Sequence, residues 1–148
     1  MPPGAEREAI RLAVHRPDLA ETAMGPELFE HPTARAALEL LVSAGSLAEA
    51  VTEGPPELAE ELTRLSVEEL VVEPIDVLGR LATEAARSEL AELEREARTS
   101  EDPLVYSSAI SYLKVTIEEL RRRDVESETV AELVDWLRAS RAEGGPTG

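Results

Sequence analysis

Residues 75–98, Ile75-Asp76-Val77-Leu78-Gly79-Arg80-Leu81-Ala82-Thr83-Glu84-Ala85-Ala86-Arg87-Ser88-Glu89-Leu90-Ala91-Glu92-Leu93-Glu94-Arg95-Glu96-Ala97-Arg98, decide the fold. Leu78, Ala82, Ala86, Leu90, Leu93 and Ala97 recur at spacings of three and four, the period of one helix face. Thr99-Ser100-Glu101-Asp102-Pro103 then interrupts the pattern. Asp102 suits an N-cap and Pro103 the first position of a new helix, where no intrahelical N–H is lost. Beyond it Tyr106, Ile110, Leu113, Ile117 and Leu120 resume the same period. Two apolar seams joined by a short turn predict an antiparallel helical hairpin.

Upstream, the chain is a series of shorter helices divided by breakers. Ala5 to about His15 carries Ile10, Ala13 and Val14 on one face and stops at Pro17, whose ring disfavours helix at the residue before it. Leu19–Met24 reads as a short helical turn, ended by Gly25-Pro26. A helix opened at Pro32 puts Ala37, Leu38, Leu41 and Val42 on one side and ends at Gly45. Ser46-Leu47-Ala48-Glu49 has the spacing of a capping box, in which each polar side chain satisfies a free backbone N–H of the other residue. Pro55-Pro56 opens a further helix with Leu58, Leu62 and Leu65 on one face. The one β-like run, Leu70-Val71-Val72, is too isolated to build a sheet and is expected to be a buried connection or a helix end. Downstream, about Glu128 to Ser140 carries Val130, Leu133, Val134, Trp136 and Leu137. The expectation is an all-α chain. A compact helical-bundle subdomain covers 1–74, beginning in a flexible start, Met1 to Gly4. A long helix and hairpin cover 75–125, an extra terminal helix 126–141 and a loose tail 142–148.

Composition removes several functions. The 148 residues include 15 basic and 31 acidic side chains, a net charge of −16. Such a surface repels the phosphate backbone, so direct nucleic-acid binding is not expected. The one basic run, Arg121-Arg122-Arg123, sits near a helix C-terminus, where cations offset the helix dipole. With no cysteine, disulfides, thiolate zinc sites and cysteine nucleophiles are excluded. No apolar run approaches a membrane span and no secretion leader is evident, which points to the cytoplasm and to no membrane partner. Arginine-rich, alanine-rich composition with a single lysine, Lys114, matches GC-rich coding DNA.

No catalytic, cofactor-binding or metal-binding residue is assigned. Glu60-Glu61, Glu68-Glu69 and Glu118-Glu119 are adjacent, and neighbours on a helix diverge by about 100°, so none forms an acid/base dyad by itself. Glu89, Glu92 and Glu96 share a face, but a carboxylate-bridged metal pair needs Glu-x-x-His motifs, and neither His15 nor His31 follows a glutamate by three. Both histidines fit helix-end or capping roles. No phosphate-binding loop or nucleophile elbow is present.

The order of short motifs resembles the C-terminal, helicase-binding domain of the bacterial replicative primase. The resemblance runs from about Glu6 to Arg122. It rests on Glu6-Arg7-Glu8-Ala9, on Arg16-Pro17-Asp18-Leu19, on the corner from Phe29 to Thr33, and on the connection from Leu65-Ser66-Val67-Glu68 to Val72-Glu73-Pro74. A long helix with a paired helix follows. The resemblance implies a non-catalytic protein-interaction domain that docks on the N-terminal domain of the replicative DNA helicase. The hairpin, with arms of about 86–98 and 103–122, is the main docking element and the bundle contributes to helicase stimulation. The family's zinc module and catalytic core are absent from these residues, so no primer synthesis is expected of them. The terminal helix departs from the better-known members. Two other readings are an N-terminal domain of a replicative helicase, which shares the bundle, and an unrelated helical adaptor.

Within that picture Val105, Tyr112 and Val115 lie off the hairpin seam and are candidate partner contacts. Trp136, the single tryptophan, is either a core plug or a partner anchor. The competing expectation is that the terminal helix covers this face, with Trp136 and Leu133 over Tyr112.

One outcome follows from the charge alone. Fluorescence anisotropy with labelled single-stranded DNA at about 100 mM salt is expected to show no binding at micromolar protein, because non-specific binders, with Kd of roughly 10⁻⁴–10⁻⁶ M, rely on cationic surface.

Overall fold

The long helical pattern becomes a single 26-residue helix, Pro74–Thr99, in the computed structural model, which describes residues 1, 3–122 and 127–142. Eight α-helices and two short 3₁₀ turns make up the described residues, with no strand. They are α1 (Ala5–His15), α2 (Pro17–Thr22), α3 (Pro32–Ala44), α4 (Leu47–Glu53), α5 (Pro56–Ser66), α6 (Pro74–Thr99), α7 (Ser107–Leu120) and α8 (Ser127–Ala142). The 3₁₀ turns are Pro26–Leu28 and Pro103–Tyr106. No helix among the described residues is long and apolar enough to cross a membrane. The third residue of the arginine run, Arg123, the end of the segment assigned to the hairpin, the first residue of the terminal segment and the tail from 143 onward lie outside the described residues.

Local chemistry sets the boundaries. Pro17 ends α1 and also begins α2, because its fixed φ suits the first helical position and its ring disfavours helix at Arg16. Gly45 closes α3 at φ 82°, a left-handed conformation that costs glycine least, and its N–H reaches Leu41 O at 3.1 Å. Ser46 Oγ accepts the Glu49 N–H at 3.2 Å, so the serine half of the capping box forms at the start of α4. At the start of α3 the cap is His31, whose Nδ1 accepts the Thr33 N–H at 3.2 Å. The same corner is tied to α1 by Glu6, whose carboxylate accepts the Glu30 and His31 N–H groups at 3.0 Å each. Arg35 closes it from the other side by donating to Phe29 O from Nε and Nη2 at 3.2 and 2.5 Å. Phe29 itself is fully buried.

Packing follows the helix faces. The long helix α6 packs against α1, α7 and α8, and the end of α7 lies beside the beginning of α6. Leu78, Ala82, Ala86 and Leu93 are buried as their spacing predicts, while Leu90 and Ala97 are half-buried against the core. On α7 and the turn before it, Tyr106, Leu113, Ile117 and Leu120 are buried, and Ile110 is half-buried. The terminal helix covers a third side: Val130, Leu133, Val134 and Leu137 of α8 are buried against α6, α7 and the Pro26–Leu28 turn. Gly25 makes that fit possible, since a Cβ there would meet Val134 Cγ1 at 2.5 Å. Arg138 Nε adds an ion pair to Glu27 Oε1 at 2.9 Å. The buried residues form one continuous cluster from Ala9 to Leu137, running across residue 74 without a break. Met1, in the segment expected to be a flexible start, is half-buried against this cluster.

Two local expectations are corrected. Asp102 and Pro103 stand at the N-cap and first position as expected, but of a 3₁₀ turn, and the Asp102 side chain makes no capping hydrogen bond. Ser100 Oγ instead accepts the Asp102 N–H at 3.1 Å, and Pro103–Tyr106 winds as a 3₁₀ turn before α7 begins at Ser107. The tighter turn carries Tyr106 into the core. The segment 67–73 is a connection of which only Leu70 packs against the core, half-buried, while Val71 and Val72 are 75% and 39% exposed. Charge supplies the second anchor. Glu68 reaches Arg7 at 2.7 Å and Arg11 at 2.8 Å on α1, and His15 Nε2 lies 2.8 Å from Glu68 O.

The paired arginines hold the Glu68 carboxyl below its ordinary pKa, chiefly through the Arg7 hydrogen bond. A folded-state pKa below the unfolded one stabilises fully above the ordinary carboxylate range, at about 4.3, and the contribution is lost as pH falls through the depressed value. Urea unfolding of the parent chain and Glu68→Gln is therefore expected to show a stability gap at pH 7 that closes as pH drops below about 4.

Candidate functional site

The hairpin surface separates into a covered face and a bare one. Tyr112 projects from α7 toward α8, where its ring stacks on Trp136 with centroids 4.8 Å apart and planes 24° from parallel. Both are half-buried against the core. Burial raises the Tyr112 phenol above its usual pKa, with a hydrogen bond to Thr116 acting in the opposite sense, so the hydroxyl is protonated throughout the neutral range. Leu133, the other residue expected over this face, is fully buried on α8. Of the four candidate partner residues, Tyr112 and Trp136 are thus spent largely on each other.

Val105 and Val115 are different. They are 42% and 59% exposed, on the turn that opens α7 and on the outer side of α7 itself. Leu104, 81% exposed, stands next to Val105 at the hairpin tip and was not singled out by the periodicity. Its signal was present: an apolar residue directly after Pro103 that fits neither the Tyr106–Leu120 seam nor a polar turn. Uncovered leucine and valine at a helix–helix corner are the residue types that fill a partner's apolar groove.

The acidic pairs go mostly to helix-surface ion pairs. Glu60 and Glu61 both hold Arg64, at 3.2 and 2.9 Å, Glu118 holds Arg121 at 3.3 Å, and Glu68 turns to α1. Glu92 pairs with Arg95 on α6. Burial raises the Glu89 carboxyl above its ordinary value, with Arg141 opposing and the neighbouring Glu96 and Glu92 reinforcing the shift. No group of three metal-ligating side chains occurs among the described residues.

A second feature lies at the other end of the hairpin. A cleft of about 520 Å³ sits between the beginning of α6 and the end of α7, and Arg80, Arg87, Arg121 and Arg122 line it. Sequence periodicity marks Arg80 and Arg87 as one helix face at i, i+7, but only the fold brings the end of α7 beside them.

Comparison with known proteins finds no matching family model, no matching curated protein and no matching solved structure.

The Tyr112–Trp136 stack has a measurable strength. A double-mutant cycle on Tyr112→Ala and Trp136→Ala, read by denaturant unfolding, is expected to give a coupling of about 0.5–1.5 kcal/mol. A coupling near zero would remove the stack as a brace between α7 and α8.

Proposed function

We propose that this chain is a non-catalytic docking domain that binds the N-terminal domain of the replicative DNA helicase and so brings a bacterial primase to the replication fork. The carrying observation is the exposed apolar tip, Leu104 and Val105 with Val115 along α7, on a hairpin whose other large apolar residues are buried or half-buried against the core. The order of elements supports it: short helices, then one long helix shared by bundle and hairpin, matching the layout that the motifs from Glu6 to Arg122 imply for that primase domain. On this reading Val105 and Val115 touch the helicase, while Tyr112 and Trp136 keep α7 in place. Primer synthesis belongs to the parent primase, nucleic acid is not a direct partner of these residues, and the site of action is the cytoplasm.

The runner-up is the N-terminal domain of a replicative helicase, for which the bundle of α1–α5 is the favouring feature and self-association the expected activity. A long helix leading into a hairpin with a bare tip favours the primase reading. An unrelated helical adaptor would use the same tip on another protein.

Titration against the helicase N-terminal domain of the same organism separates them. Saturable binding is expected, weakened by roughly 1–3 kcal/mol in Val105→Asp and in Val115→Asp with melting temperature little changed. No binding, together with concentration-dependent self-association, would favour the runner-up. No binding and no self-association would leave the adaptor. Deleting α8 is a poor probe of docking, because four buried core residues leave with it.

A further inference from the structure

Acidic residues outnumber basic ones 31 to 15, yet six arginines, Arg35, Arg80, Arg87, Arg98, Arg122 and Arg141, join no ion pair among the described residues, and three of the six share one cleft. Those three are Arg80, Arg87 and Arg122. Arg121, whose Glu118 partner is exposed on α7, adds a fourth guanidinium. The cleft concentrates positive charge on a molecule that is strongly negative elsewhere.

We propose that this cleft binds a nucleoside polyphosphate. Four guanidinium groups supply planar donor forks whose geometry matches phosphate oxygens. The rest of the lining distinguishes a nucleotide from a simpler anion. Asp76 and Glu84 also face the cleft. They repel any anion placed beside them, phosphate included, but they accept hydrogen bonds from ribose hydroxyls and base amino groups, so they suit the uncharged end of a ligand whose phosphates lie on the arginines. Ile75, half-buried at the edge of the cleft, adds apolar surface of the kind a base packs on. A volume of about 520 Å³ falls within the usual range of small-molecule sites, roughly 300–1,000 Å³. Charge favours a compact ligand too. A long polyanion or an acidic peptide extends past the arginines onto a surface carrying most of the −16 net charge, whereas a nucleotide confines its charge to the cleft.

Isothermal titration of the full chain with ATP at about 50 mM salt tests this, low salt being chosen because screening weakens such attraction. The expected result is saturable one-to-one binding, weakened at least about tenfold in the double variant Arg80→Gln/Arg122→Gln. The control Arg64→Gln, on α5 and paired with Glu60 and Glu61, is expected to leave it unchanged. Inorganic tripolyphosphate is expected to bind more weakly than ATP, lacking the ribose and base. Should the double variant melt lower than the parent, Arg87→Gln with Arg121→Gln carries the same expectation. The proposal is overturned by absent binding at millimolar ATP, by equal losses in the Arg64 control, or by tripolyphosphate matching ATP. It also falls if an acidic peptide or a single-stranded oligonucleotide binds there more tightly than ATP.

Discussion

The apolar stripe of α6 is the constraint on which the structure depends. At about 1.5 Å per residue its 26 residues extend about 39 Å, longer than any single neighbour in the chain covers. It needs α1, α7 and α8 together to cover it. Bundle and hairpin are therefore not two units joined by a linker. They are two sets of helices sharing one rod, and a disturbance of the stripe at Leu81 or Ala82 reaches both. This is why the buried residues form one cluster and why the exposed tip at Leu104–Val105 is held at a defined distance from the bundle.

Charge performs the tasks that apolar burial does not reach. The segment 67–73 has too little buried surface to fix its own path, and the Glu68 clamp onto Arg7 and Arg11 sets it instead. The corner before α3 works similarly, with Glu6 satisfying two backbone N–H groups that no helix would otherwise reach. Both clamps end on α1, which therefore organises irregular backbone as well as packing against α6.

Features set by neighbouring residues were legible in the sequence. The periods of α6 and α7, the stop at Pro17, the left-handed close at Gly45 and the serine cap of α4 each follow from a few adjacent residues. Features decided by distant residues were not. Leu70-Val71-Val72 looked buried because it is apolar, but only Leu70 packs against the core, and the other anchor is a glutamate two residues earlier, paired with an arginine 61 positions away. Tyr112 could equally have been covered or bare, because periodicity shows that α7 has a second apolar stripe without showing what lies against it. Gly25 read as a helix breaker, and only the seating of Val134 reveals that its missing side chain is also needed for packing. The arginine cleft joins residues some forty positions apart and had no local signature beyond the spacing of Arg80 and Arg87.

The placement of α8 has a consequence for synthesis on the ribosome. Leu133 and Leu137, both fully buried, are made after every residue of α1 to α7 that they pack with, and the pair Arg138–Glu27 joins positions 111 residues apart. The hairpin can pair from local contacts as soon as α7 emerges, but one flank of the core stays open until α8 follows. At about 5–20 residues per second that interval lasts on the order of a second or more. During it the nascent chain shows apolar surface that the packed core covers once α8 is in place.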